Sequence, residues 1–269
     1  MALLTIVDAA SLVAVGAERL TELIEQAISR QGAARVSLTG GTTPRALYEA
    51  LADPSRPWRR RIDWSRVHLY WGDERHVPPN DKDSNFGMAD HALVAHVPIP
   101  ARQVHRMRGE LQDAHEAARE YERELPARFD LMLLGLGDNA HIASIFPGGE
   151  IAAGYSRAMK AKPADPAAAN HHAADNRGGA ARYGPPVTAV FVEALGVWRI
   201  TLTPRPILES RYIVMYLAGE NKAEAVEAAI ERPLDIVRYP AQLLRDAGDR
   251  VEWIMDRSAA VRLRGVPPA

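Results

Sequence analysis

The run Leu131-Met132-Leu133-Leu134, with Phe129 just before it, has no polar position on either face. A strand that is apolar all round is buried on both sides, the condition of an inner strand in a parallel sheet covered by helices. The run breaks at Gly135 and Gly137 into a loop that carries His141 and Ser144 and stops at Pro147-Gly148. Open α/β sheets bind their ligands beyond the carboxyl ends of their strands, so His141 lies where chemistry is expected. An imidazole there can exchange a proton near neutral pH.

The same alternation runs along the chain. Residues 11–30 have helical spacing, with Leu20, Leu23, Ile24, Ala27 and Ile28 on one face, and Gly32 stops them. Residues 35–39 read as a strand that turns through Gly40-Gly41-Thr42-Thr43-Pro44 into a helix ending near Leu51, with Thr43 as N-cap and Pro44 as first helical residue. Residues 67–71 form a second strand, ending in Gly72-Asp73-Glu74-Arg75. Helical stretches at 86–95 and 114–125 precede the Phe129 run, and 220–231 is a short amphipathic helix. Residues 187–192, 198–203, 211–217 and 251–255 are strand-like. This order predicts a single α/β domain over 1–269 with a mainly parallel sheet flanked by helices. Residues 156–186, rich in Ala, Pro, Gly and Asn and without clean periodicity, are expected to be irregular surface, mobile or weakly helical, with a functional lid as the alternative.

Composition narrows the function. A net charge of −1 leaves no global field to draw nucleic acid or an anionic membrane, so an anionic ligand must be held by local charges. The chain has no cysteine, which removes disulfides, thiolate nucleophiles and cysteine-based zinc sites. No stretch approaches the roughly 20 apolar residues of a membrane helix. The expectation is a cytoplasmic protein with a small-molecule partner.

Three strand-end loops carry the chemistry. In the first, Gly40 and Gly41 let the backbone approach a ligand, and the amides of Gly40, Gly41, Thr42 and Thr43 at a helix start favour a phosphate. An ordinary βα turn is the alternative. In the second, Asp73 and Arg75 put a carboxylate and a guanidinium at the same sheet edge. Arg75 is suited to an oxyanion, and Asp73 to orienting a neighbour or accepting a sugar hydroxyl. A solvated ion pair is the alternative. The third loop supplies His141, which by itself could be a hydrogen-bonded structural histidine. Lys222, at the start of a helix after the 211–217 strand, adds a positive charge. The remaining histidines show no metal-ligand spacing, and Gly-x-Ser-x-Gly is absent.

Taken together, Ser37–Pro44, Trp71–Pro78, Asp83-Ser84-Asn85, Val104–Met107, Phe129–Gly148, Arg199–Pro204 and Gly219–Ala223 resemble the glucosamine-6-phosphate isomerase/6-phosphogluconolactonase family over most of the chain. The resemblance implies a Rossmann-like α/β fold, no cofactor and no metal, and a monomer or homodimer. The implied reaction is hydrolysis of 6-phospho-D-glucono-1,5-lactone, the second step of the oxidative pentose phosphate pathway. His141 would be the general base, Arg75 would stabilise the carbonyl oxygen and Asp73 would orient Arg75 or the sugar. Gly40–Thr43, Asn85, Arg199 and Lys222 would bind substrate and its phosphate. Arg75 and the Ser144–Pro147 ending look like the lactonase branch, whereas Asn139 and His141-Ile142-Ala143 look deaminase-like. The usual Asp-Gly-His of the lactonases reads Asn139-Ala140-His141 here, and alanine matters if that residue needs a positive φ. Glucosamine-6-phosphate deaminase and a sugar-phosphate-sensing module of the same fold are the alternative functions.

Overall fold

Five of the six strands of the main sheet are short runs of mostly buried residues, the exception being the edge strand Leu3–Val7. The computed structural model describes residues 3–160 and 184–266. In chain order the strands are β1 Leu3–Val7, β2 Ala34–Leu38, β3 Val67–Trp71, β4 Asp73–Arg75, β5 Leu131–Leu134, β6 Val187–Val192, β7 Val197–Leu202, β8 Tyr212–Leu217 and β9 Val251–Asp256. Six of them make a parallel sheet in the order β1-β9-β8-β5-β2-β3. The apolar run of β5 is buried at every position because helices cover both faces of this sheet.

The strand order decides where a ligand can bind. From β2 the chain proceeds outward to β3, whereas from β5 it proceeds the other way, to β8 and β9. The loops leaving β2 and β5 therefore diverge, and a crevice opens between them at the carboxyl edge of the sheet.

The remaining strands form a separate antiparallel sheet, β4-β7-β6. Only residues 193–196 join β6 to β7, too few for a parallel crossover, so these two strands form a hairpin rather than joining the main sheet. Gly72 links the two sheets. Its N–H donates to Leu38 C=O at the end of β2, and its own C=O accepts from Leu202 N–H of β7.

Other expectations are corrected in detail. The helix after β2 spans Thr42–Ala52 and its N-cap is Gly41, with φ 113°, not Thr43. Glycine admits that backbone at no steric cost, so the helix starts two residues early, and Pro44 still falls in the first turn, where no N–H is needed. Residues 156–160 are not irregular but complete the helix Glu150–Lys160. The rest of the expected irregular segment, up to residue 183, lies outside the described residues.

Candidate active site

Two strand ends are fixed from below by tyrosine hydroxyls. Tyr48, from the helix after β2, accepts from Thr39 N–H at 3.0 Å and donates to Thr39 C=O at 2.9 Å. Tyr121, from the helix Ala114–Glu124, does the same for Trp71 at 2.8 and 3.0 Å. Both rings are fully buried. Each thus satisfies a backbone donor and acceptor where a strand gives way to a loop.

Above these ends lies a crevice of about 270 Å³. It is lined by Gly40, Gly41, Thr42, Thr43, Asp73, Arg75, Asn85, His141, Arg199 and Lys222, so every expected site residue reaches one space. The first helical hydrogen bond of the loop after β2 runs from Arg45 N–H to Gly41 C=O, which leaves the Thr42 and Thr43 amides without an intrahelical acceptor. Gly40 abuts Asn85: a Cβ there would stand 1.8 Å from Asn85 Oδ1.

The second loop is not a solvated turn. Asp73 and Glu74 are buried. Glu74 accepts from the N–H groups of Arg75, Asn85 and Phe86 and from Ser84 Oγ, which ties residues 84–86 to β4. Burial pushes its carboxyl upward from the usual range, against those four hydrogen bonds. Asp73 does not orient Arg75. Its partners are Ser144 Oγ at 2.7 Å, Asn85 Nδ2 at 3.0 Å and Arg199 Nη1 at 3.6 Å. Arg75 instead donates from Nη1 to Asp83 C=O. Asp73 and Arg75 stand two apart on β4 and so share a face, yet the register sets Asp73 opposite Thr201, and its carboxylate is taken up by side chains from other elements.

That same register places Arg75 directly opposite Arg199. Like charges on facing positions of an antiparallel pair are unfavourable. Both Nε atoms are buried and have no hydrogen-bond partner among the described residues. Burial, and Arg75 beside it, lower the Arg199 guanidinium from its ordinary value, while Asp73 opposes them. Two guanidiniums held together with unspent donors make a site for an oxyanion.

His141 is presented by a tight turn after β5. Gly137 N–H donates to His141 C=O and Ala140 N–H to Gly137 C=O, both at 2.9 Å. A Cβ on Gly137 would fall 1.9 Å from His141 Nδ1, so the ring can fold over this residue only because it is glycine. Asn139 Oδ1 lies 2.6 Å from His141 Nδ1 and also accepts from His141 N–H at 3.3 Å. An atom that accepts from a backbone N–H is the amide oxygen, so Nδ1 carries the ring proton and Nε2 keeps its lone pair. Burial lowers the imidazole to about 4, helped by Arg199 and Lys222 and opposed by Asp73 and Asp138. The ring is neutral at pH 7.

Lys222 caps the start of the helix Ala223–Ile230 and reaches Asp138 Oδ1 at 2.5 Å. Asn221 Nδ2 donates to the same oxygen at 3.2 Å. Asp138, Ser144, Glu74 and the two tyrosines were not singled out by sequence as parts of the site. Glu74, Asp138 and Ser144 lie in the loops that carry the chemistry and could have been found there, whereas the tyrosines act through contacts 9 and 50 residues away. Among the described residues no group of three His, Cys, Asp or Glu side chains could hold a metal ion, and no helix is long and apolar enough to cross a membrane.

A model of the family described as glucosamine-6-phosphate isomerases/6-phosphogluconolactonase matches residues 7–174 and 175–253. The chain belongs to this family. The 6-phosphogluconolactonase of Haemophilus influenzae is 32% identical over 233 residues, 85% of this chain and 86% of its own. That of Mycobacterium tuberculosis is 35% identical over 269 residues, covering 95% of this chain and 96% of its own. The crystal structure of devB protein superposes with a TM-score of 0.77 at 27% identity, covering 98% of this chain and all of that one. A monomeric glucosamine-6-phosphate deaminase reaches a TM-score of 0.72 at 21% identity over 96% of this chain and 99% of its own, which shows a shared fold. Within the family fold, Ala140 is the position where glycine was expected, and its φ is 62°.

Proposed function

We propose that this protein hydrolyses 6-phospho-D-glucono-1,5-lactone to 6-phosphogluconate, as the relatives' names say of those proteins. The observation that carries the reading is a neutral imidazole whose Nε2 is free, in one crevice with two unspent guanidinium donors and a helix start. The phosphate is held by the Thr42 and Thr43 amides and by Lys222, which leaves Asp138 for the stronger anion. The lactone carbonyl oxygen points at Arg75 and Arg199. His141 Nε2 removes a proton from water as the water oxygen bonds to the carbonyl carbon. The charge that develops on the carbonyl oxygen is met by donors already in place. As the tetrahedral centre collapses, the bond from carbon to ring oxygen breaks, and the imidazolium returns its proton to that oxygen. The product is an open-chain acid with a free hydroxyl.

No step in this scheme calls for a metal, so hydrolysis in excess EDTA should run at the untreated rate. The direct test is lactone loss measured with and without the 6-phosphate. The phosphorylated lactone should be turned over with a kcat/KM at least about tenfold higher, since phosphate contacts orient the carbonyl near the water. Equal turnover of both lactones would remove the phosphate from the reading. Release of ammonia from glucosamine 6-phosphate, or ligand binding without turnover, would replace the reading altogether.

A further inference from the structure

Asn139 is exposed, yet its side-chain oxygen is committed to two donors that both belong to His141: the ring Nδ1–H and the backbone N–H. His141 is thereby held at its ring and at its backbone, with Gly137 beneath the ring and the Phe146 ring 4.4 Å away, centroid to centroid. An asparagine gives this hydrogen bond without a charge. A carboxylate in its place would set a negative charge against Nδ1 and favour the imidazolium.

We propose that Asn139 is a positioning residue that locks His141 in its Nδ1–H tautomer and, by being uncharged, sets the acid limit of activity. The inference rests on His141 being the base of the lactonase reading. The other charged groups facing the ring are Asp73, Asp138, Arg75, Arg199 and Lys222. Of the two carboxylates, Asp73 is occupied by Ser144, Asn85 and Arg199, and Asp138 by Lys222 and Asn221. Neither carboxylate bonds Nδ1. Desolvated by burial and with no carboxylate on Nδ1, the ring stays neutral in mildly acidic solution, and once protonated by the attacking water it is a strong acid toward the departing ring oxygen. A weaker base suffices because the lactone carbonyl is already electrophilic and the oxyanion donors are preformed.

The test compares the pH profile of kcat/KM for wild type, Asn139→Asp and Asn139→Leu, each checked for folding by circular dichroism. Wild type should hold its rate down to about pH 5, below the ordinary range for histidine. Asn139→Asp should move the acid limb up by about one to three pH units. Asn139→Leu, which cannot accept, should lower kcat on the order of 10²-fold with little change in KM, as expected for a misplaced base. An Asn139→Asp profile that superposes on wild type, or an Asn139→Leu enzyme with wild-type kcat, would overturn the proposal. The nitrogen NMR signals of His141, assigned by their loss in His141→Gln, decide the tautomer without any turnover. An Nε2–H ring at pH 7 would also overturn it. If wild type turns over no lactone, the functional reading fails alone and the nitrogen signals still judge this one.

Discussion

Ala140 occupies a backbone conformation that costs a side-chain-bearing residue about 1–2 kcal/mol. The conformation persists because the loop is held at both ends: Ala140 N–H donates to Gly137 and its C=O accepts from Ala241 N–H. Replacing it with glycine would relieve the strain. Two effects oppose the gain. Glycine loses roughly 0.5–1 kcal/mol more backbone entropy on folding, and the alanine methyl, 1% exposed in the core, contributes about 0.8 kcal/mol by burial. The three nearly cancel. Ala140→Gly should therefore change unfolding free energy by less than about 1 kcal/mol in a denaturant titration. A gain above about 2 kcal/mol would mean that the methyl contributes nothing and the strain dominates. This cancellation explains how a residue poorly suited to the turn is tolerated between the two partners of the imidazole's own hydrogen bond.

At the scale of elements, the crevice depends on where strands stop, and hydroxyls from the following helices set those stops. Tyr48→Phe would leave the Thr39 N–H and C=O without their partner in a buried place. Each such group costs about 1–3 kcal/mol, so the variant should lose at least 2 kcal/mol or so. It should also weaken phosphate affinity, because Thr39 leads directly into the Gly40–Thr43 loop; a phosphate titration that matched wild type would show that the loop is set by something else. Such contacts mark the limit of what the sequence reveals. Strands β3 and β6 could be bounded to the residue, because their apolar runs end at a glycine or a charged residue. By contrast, β4 has three residues, all charged, and exists only because β7 pairs with it. No local pattern announces it. The opposition of Arg75 and Arg199 follows from that same register and was equally hidden, although each arginine was named. Strand β1 was missed for the opposite reason: it is a partly exposed edge strand with no alternation, made a strand by parallel pairing with β9. The gathering of separate loops at one edge was legible, since a strand–helix alternation brings every carboxyl end to the same side.

For the whole molecule, the site is a place where stability is given up. Facing arginines and a desolvated imidazole line the crevice, and the positive-φ Ala140 precedes that imidazole in the chain; each is unfavourable for folding. The imidazole makes this measurable. Its folded value of about 4 lies below the ordinary 6.5. Between those two pH values the unfolded chain holds a proton that the folded chain refuses, so stability falls as pH is lowered through this window. His68, also lowered by burial, acts with the same sign. Glu74, raised by burial, acts with the opposite sign, and Glu110, held down to about 2 by Arg106, responds only at lower pH. These three are shared with a His141→Gln variant and cancel in the comparison. Between pH 7 and pH 5 the contribution of His141 alone is about 2 kcal/mol, at 1.36 kcal/mol per pH unit below its unfolded value. The stability of His141→Gln relative to wild type should therefore increase by about that amount as pH falls over the interval, while lactone turnover falls roughly 10²–10⁴-fold. A difference independent of pH would show that the imidazole titrates alike in both states, and that the crevice does not keep its base neutral.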